Sequence, residues 1–291
     1  MPIIDAHVHL YPPEVNRDPE GWAVLHREPH WAALCTRRRR DGRPVQAFPD
    51  VATLLGTMDA AGVDRAVLVG WYWENPDSIA AQNRFYARCI RAYPDRLSAF
   101  ATVHPHAGDA ALAEVRWAAD SGFAGLGELS PHSQHVATTD PRLQAILALA
   151  GDLGLPVNLH VTDPTSRPYP GRIDTPLEDC VALARAHPRT TFILAHWGGG
   201  IDLDGLPNVY VDTAAAPLIH GATAWTRIGK SVPAGRVLFG SDYPLNLYPR
   251  AGHEPEMAAF IAEARACLPA EVAVAVLGGN AQRVLGGGAG L

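Results

Sequence analysis

From residue 50 onward the chain alternates between two hydrophobic patterns. Asp50 is followed by apolar residues three or four apart, Val51, Leu54, Leu55 and Met58, and then by Gly62. That spacing predicts an amphipathic helix with an aspartate N-cap and a glycine stop. A short valine-rich run at 65–70 reads as a strand. The same rhythm predicts helices over 79–93, 110–119, 141–153 and 176–187, and strands over 97–103, 123–129, 156–160, 190–196, 209–213 and 236–241. Pro94 and Gly122 mark two of the helix ends. With the apolar run at 3–10, this makes eight short strands, each followed by a connection long enough for a helix. Such alternation implies parallel strands, and eight units in 291 residues predict an α/β fold, a single-domain (β/α)8 TIM barrel. A doubly wound open sheet is the alternative. Its glycine signature is missing, since no G-x-G-x-x-G follows an early strand.

One segment breaks the rhythm. Between Tyr11 and Asp50 there are prolines at 12, 13, 19, 29, 44 and 49 and no sustained period. A long loop insertion after strand 1, spanning 11–49, is expected, and Trp22, His26, His30 and Trp31 suit a lid. Within it lies the run Arg37-Arg38-Arg39-Arg40. It reads as a solvated face or as the source of one arginine that clamps a substrate carboxylate. The barrel is expected over 1–285, and the glycine-rich 286–291 as a flexible tail.

The net charge of −6 and pI near 6.1 leave no general basic surface. This argues against nucleic acid as a partner and for a small-molecule substrate. Cys35, Cys89, Cys180 and Cys267 are far apart, with no C-x-x-C, which suits a reducing cytoplasm. Neither an export leader nor a membrane span is expected. Association into a homo-oligomer stays open.

The chemistry collects where the predicted strands end. His7 and His9 lie on strand 1, two residues apart, so their side chains leave the same face. With thirteen histidines in the chain one such pair is close to chance, and His104-Pro105-His106 is a second. Position separates the two. Glu128 ends strand 4, His160 strand 5, His196 strand 6 and Asp242 strand 8. The C-terminal rim is where a barrel of this kind carries its site, so five strand ends bring metal-type ligands together. Trp71, Tyr72 and Trp73 follow strand 2 at the same rim and suit a pocket wall. The stretch 162–175 after strand 5 offers Arg167 and Arg172 as further carboxylate clamps. Asp212, at the end of strand 7, reads as a supporting acid.

Taken in order, Ile4-Asp5-Ala6-His7-Val8-His9, Leu194-Ala195-His196-Trp197-Gly198-Gly199, Gly240-Ser241-Asp242-Tyr243-Pro244 and Gly279-Asn280-Ala281 resemble the amidohydrolase superfamily. The resemblance spans nearly the whole chain. It points to the amidohydrolase-related branch that holds aminocarboxymuconate-semialdehyde decarboxylase-like enzymes and lactonases. It implies one divalent metal, most often Zn2+ with Mn2+ or Fe2+ as alternatives, held by His7, His9, His160 and Asp242. His196 then stands beside the metal as the proton-transfer residue, with Asp242 sharing that work. Glu128 is a candidate additional ligand, since relatives with two metals carry a bridging carboxylate at this strand. The implied function is a metal-dependent hydrolase, with metal-bound hydroxide attacking a small amide, lactone or ester. The alternative is a lyase, a non-oxidative decarboxylase of a small aromatic or unsaturated acid. A non-catalytic metal-binding protein is the reading from another class.

Overall fold

In a computed structural model, which describes residues 1–216, 220–230, 232–246 and 256–286, eight parallel strands form one sheet in sequence order. They are β1 (Ile4–Val8), β2 (Arg65–Val69), β3 (Leu97–Ala101), β4 (Gly125–Leu129), β5 (Val157–Leu159), β6 (Phe192–Leu194), β7 (Val209–Asp212) and β8 (Val237–Leu238). Closure runs through the segment just after β8. Ala6 N donates to Phe239 O at 2.7 Å, Asp242 N to His7 O at 3.0 Å, and His9 N to Tyr243 O at 2.7 Å. The expected (β/α)8 barrel is therefore observed. Except for β4, which ends at Leu129 as expected, the strands stop one to three residues sooner than their apolar runs, where the polar rim residues begin.

The intervening helices follow their local signals. Val51–Ala61 starts where the Asp50 carboxylate accepts from Thr53 N and ends at Gly62, with φ 68°. Pro76–Ala92 begins three residues earlier than the apolar spacing suggested, since Asn75 caps it and Pro76 is its first residue. Asp109–Asp120, Pro141–Asp152 and Leu177–Ala186 fall within a residue of their expected bounds. Along β2, alternate residues go to different cores. Ala66 and Leu68 pack with the helices, whereas Val67 and Val69 join Phe100, Ile193 and Leu238 in a separate cluster.

The insertion corrects the sequence reading. Much of 11–49 is helical, as Pro13–Arg17 (α1), Pro19–His26 (α2) and Pro29–Cys35 (α3), each with proline in its first turn. A proline costs no hydrogen bond at that position, so residues that suggested a loop open three helices instead. Tyr11, Trp22 and Trp31 of this segment pack against Trp71, Tyr72 and Trp73 in an aromatic core of their own. The tail expected at 286–291 lies outside the described residues from 287 onward.

Glu28 ties the insertion to the barrel. Its fully buried carboxylate accepts from Glu74 N at 2.8 Å and Asn75 N at 3.0 Å, while Glu74 in turn accepts from His30 N at 3.0 Å. Burial pushes the Glu28 carboxyl up to about 7, against the backbone donors that favour its charge. An acid raised by folding holds its proton more tightly when folded. Its contribution to stability is therefore full below its ordinary value of 4.5 and is lost as pH climbs towards about 7. In thermal melts of wild type and Glu28→Gln, the stability advantage of wild type should shrink between about pH 5 and about pH 8. A difference that does not change with pH would contradict this role.

Candidate metal centre

His7 and His9 are oriented by groups that can only accept. His7 Nδ1 lies 2.9 Å from Asp212 Oδ2, and His9 Nδ1 lies 2.9 Å from the carbonyl oxygen of Val69. Each Nδ1 therefore carries a proton and donates it. In neutral imidazoles the opposite nitrogens are then lone pairs, and the two Nε2 atoms face one another at 3.1 Å. A positive charge between them relieves that opposition, either a proton that His7 Nε2 donates to His9 or a metal ion, and the second fits the convergence of ligands at this point. The charge balance also calls for positive charge here. Burial opposes charge on His7, but Asp212, then Glu128 and Asp242, outweigh it and lift its pKa to about 10. Burial and the neighbouring His7 push His9 down to about 3. Gly240 makes the approach feasible, because a Cβ there would lie 2.7 Å from His7 Cβ.

The other strand ends converge on the same point. Glu128, on β4, directs Oε1 to His160 Nδ1 at 2.8 Å and to His196 Nε2 at 3.5 Å, and Oε2 to His9 Nε2 at 3.9 Å. Although burial disfavours its charge, the surrounding imidazoles, His160 first, hold Glu128 well below the usual carboxylate range. Asp242 places Oδ1 3.5 Å from His9 Nε2 and 3.9 Å from His7 Nε2, with Oδ2 3.9 Å from His196 Nδ1. Burial raises its carboxyl to about 6. Sets of ligand atoms that lie within 4.8 Å of one another include His7/His9/Glu128 and Glu128/His160/His196. Glu128 belongs to both, so it sits closer to the centre than its place as a fifth candidate implied.

His196 is held differently. Its Nδ1 donates to Ala214 O at 3.0 Å, and its Nε2 lies 3.2 Å from His160 Nδ1. Burial lowers the pKa of a charged imidazole, but Glu128 and Asp242 overcome that and raise it to about 9. His196, Trp197 and Asp242 have φ of 56°, 63° and 62°. Such left-handed backbone costs on the order of 1–3 kcal/mol at a non-glycine residue and gathers at functional sites. Asp212 is the shared support. Besides His7 it accepts from Asn158 Nδ2, His196 N and Ala214 N, each at 3.1 Å, and is fully buried.

A cavity of about 720 Å³ opens onto this cluster. His9, Glu128, His160, His196 and Asp242 form its floor, Trp71 and Tyr72 one wall, and residues of the insertion and of the 162–175 loop the rest. The arginine run is resolved by strand geometry. Arg37 and Arg39 line the cavity, whereas Arg38 and Arg40 are exposed, the alternation of an extended segment in which Arg38 pairs with Pro44. Arg39 Nε and Nη2 are buried without any hydrogen-bond partner. Arg167 lines the cavity from an exposed position.

Two expectations need correcting. Trp73 is not on the cavity wall, because its Nε1 donates to Gln82 Oε1 at 2.7 Å and its ring packs against Trp22 and Trp31. Arg172 is also off the wall. It donates from Nε to Ser166 Oγ at 3.1 Å and pairs with Asp174, so it props its own loop. The second H-x-H pair lies apart, with His104 Nδ1 accepting from His106 N at 3.2 Å. His30, expected in a lid, lines the cavity, whereas sequence reasoning missed Leu34, Cys35 and Gln46 on its wall. Helical spacing from His30 within α3 is the signal that would have found Leu34 and Cys35.

If Asp212 fixes the nitrogen that His7 presents, Asp212→Asn should weaken divalent-metal affinity by about 10- to 100-fold, measured by competition with a chromophoric chelator. Unchanged affinity would show that His7 is oriented without it.

The fold and the site can now be set beside known proteins. Residues 4–287 match the family model described as Amidohydrolase. No protein of curated function matches the sequence. Among solved structures, 5-carboxyvanillate decarboxylase from Sphingomonas paucimobilis superposes with TM-score 0.73 at 18% identity, covering 98% of both chains. The 2,6-dihydroxybenzoate decarboxylase from Rhizobium gives TM-score 0.66 at 19% identity, over 98% of this chain and 99% of that one. A 5-carboxyvanillate decarboxylase from Novosphingobium aromaticivorans, solved with manganese and 3-methoxy-4-hydroxy-5-nitrobenzoic acid, gives TM-score 0.70 at 14% identity, over 98% and 97%. With the family match extending over nearly every residue of the barrel, this chain belongs to the amidohydrolase family.

Proposed function

We propose that the protein is a metal-dependent, non-oxidative decarboxylase of small aromatic carboxylic acids. The observation that carries this reading is Arg39. It lines the cavity that opens on the histidine cluster, and no acceptor in the protein pairs with its Nε or Nη2. A guanidinium with unpaired donors at the edge of a cavity favours an anion there, and a substrate carboxylate would supply one. The amide, lactone or ester of the hydrolase reading brings no such anion. Trp71 and Tyr72, stacked with ring centroids 4.5 Å apart, add a flat wall suited to an aromatic ring. The similar decarboxylases of carboxyvanillate and dihydroxybenzoate support the same substrate class.

His7, His9, His160 and Asp242 would hold one divalent ion, with Glu128 beside it. Three imidazoles and a carboxylate suit zinc, and manganese is compatible with the same donors. When bound, that ion supplies positive charge that draws electron density from the substrate. The remaining work falls to side chains. His196 Nε2 delivers its proton to the ring carbon that bears the carboxylate, which becomes tetrahedral, so that the scissile carbon–carbon bond, its carboxylate held by Arg39, leaves the ring plane and can overlap the π system. As carbon dioxide departs, the electron pair of that bond returns to the ring and restores its aromaticity. His196, which Glu128 and Asp242 shift above an ordinary imidazole, is the group placed to hold this proton.

The test is carbon dioxide release by the metal-loaded protein from a panel of hydroxybenzoates, alongside lactones and esters. Wild type should release carbon dioxide, and Arg39→Gln should lower kcat/KM on the acids by about 10- to 100-fold. Turnover of lactones or esters without carbon dioxide release from any acid would overturn the proposal in favour of hydrolysis.

A further inference from the structure

The cavity's outer wall is shared between two segments far apart in sequence. One is the insertion, through His30, Leu34 and Arg37, and the other is the loop between β5 and the helix Leu177–Ala186. Three contacts join them. His30 Nε2 donates to Gly171 O at 2.8 Å, and the Arg37 guanidinium carbon lies 5.1 Å from the centroid of the Tyr169 ring. Gly171, at φ 79°, meets α3 so closely that a Cβ would lie 2.9 Å from Leu34 Cγ and 3.3 Å from Ala33 Cβ. A side chain there is excluded by both conformation and space.

The loop is built to hold this position. Asp163 Oδ1 accepts from Thr165 N at 2.7 Å and Thr165 Oγ1 at 2.6 Å, while its Oδ2 receives His220 Nε2 at 2.8 Å. Thr162 Oγ1 donates to Ile173 O at 2.6 Å, closing the base of the loop. Tyr169 is the aromatic residue that this frame presents to the cavity. One face of its ring is covered by a cation, and it shares the cavity lining with Tyr72.

We propose that Tyr169 determines specificity at this site, its ring forming with Arg37 a wall of the cavity, held where Gly171 packs against Leu34, that grips the face of a flat substrate. This rests on the aromatic-acid reading above and adds the residue that selects planar over non-planar acids. Arg39 recognises the carboxylate that every candidate acid shares. Tyr169 reads the shape of what carries it. The tyrosine rides on a loop packed against another segment, so the wall depends on that packing.

The experiment is equilibrium binding by calorimetry to the metal-loaded protein, with 4-nitrobenzoate as the flat probe and cyclohexanecarboxylate as its non-planar counterpart. Tyr169→Phe should bind both within about twofold of wild type, since the ring face is kept. Tyr169→Leu should lose about three- to tenfold for 4-nitrobenzoate and little for cyclohexanecarboxylate. Gly171→Val, which blocks the seating against Leu34, should reproduce that selective loss with Tyr169 intact. Wild-type affinity for 4-nitrobenzoate in Tyr169→Leu, or an equal loss of both acids, would overturn the proposal while leaving the aromatic-acid reading in place. Failure of wild type to bind 4-nitrobenzoate at all would overturn that reading and this inference with it.

Discussion

Everything at the rim of this barrel depends on one close approach, the Nε2 atoms of His7 and His9 facing each other at 3.1 Å and calling for positive charge between them. Neither ring can turn away, because Asp212 and the Val69 carbonyl engage the far nitrogens. A buried site that collects Glu128, Asp212 and Asp242 around those rings holds negative charge against four imidazoles and is satisfied by a cation. The barrel makes this affordable. Eight strands bring residues more than two hundred positions apart onto one edge, and their ladders supply the stability that the crowded rim spends.

Above that centre, the cavity is completed by parts the barrel does not need. The insertion after β1 forms its own aromatic core and is tied to the start of Pro76–Ala92 by Glu28. From this platform an extended stretch delivers Arg37 and Arg39 over the site, and its partner strand reaches the segment after Asp242, where Gln46 pairs with Leu245. The arginine proposed to hold a substrate carboxylate is thus positioned by a chain segment that also touches the region of the candidate metal ligands. The floor and the roof of the cavity are joined by that backbone contact.

The barrel was legible because strand and helix periods differ and because each ligand candidate falls at the end of an apolar run. His160, His196 and Asp242 announce themselves in this way, one after another. What stayed hidden depends on chain direction after the strands end. Trp71, Tyr72 and Trp73 are alike in sequence, yet the turn after β2 sends the first two to the cavity and the third into the insertion core. Arg37 to Arg40 could not be sorted until the segment proved extended, after which alternation sorts them at once. The prolines at 13, 19 and 29 misled for a related reason. Proline marks a loop or a helix start equally well, and only the buried Trp22 and Trp31 following two of them decide between the two.

The central claim is that the nitrogens of His7 and His9 converge on a metal, and anomalous diffraction from crystals grown with manganese or zinc measures it directly. The account predicts one strong anomalous peak about 2.0–2.2 Å from both Nε2 atoms, within reach of His160 and Asp242. A fully loaded protein whose anomalous peak lies elsewhere, with His7 and His9 still paired to each other, would contradict it.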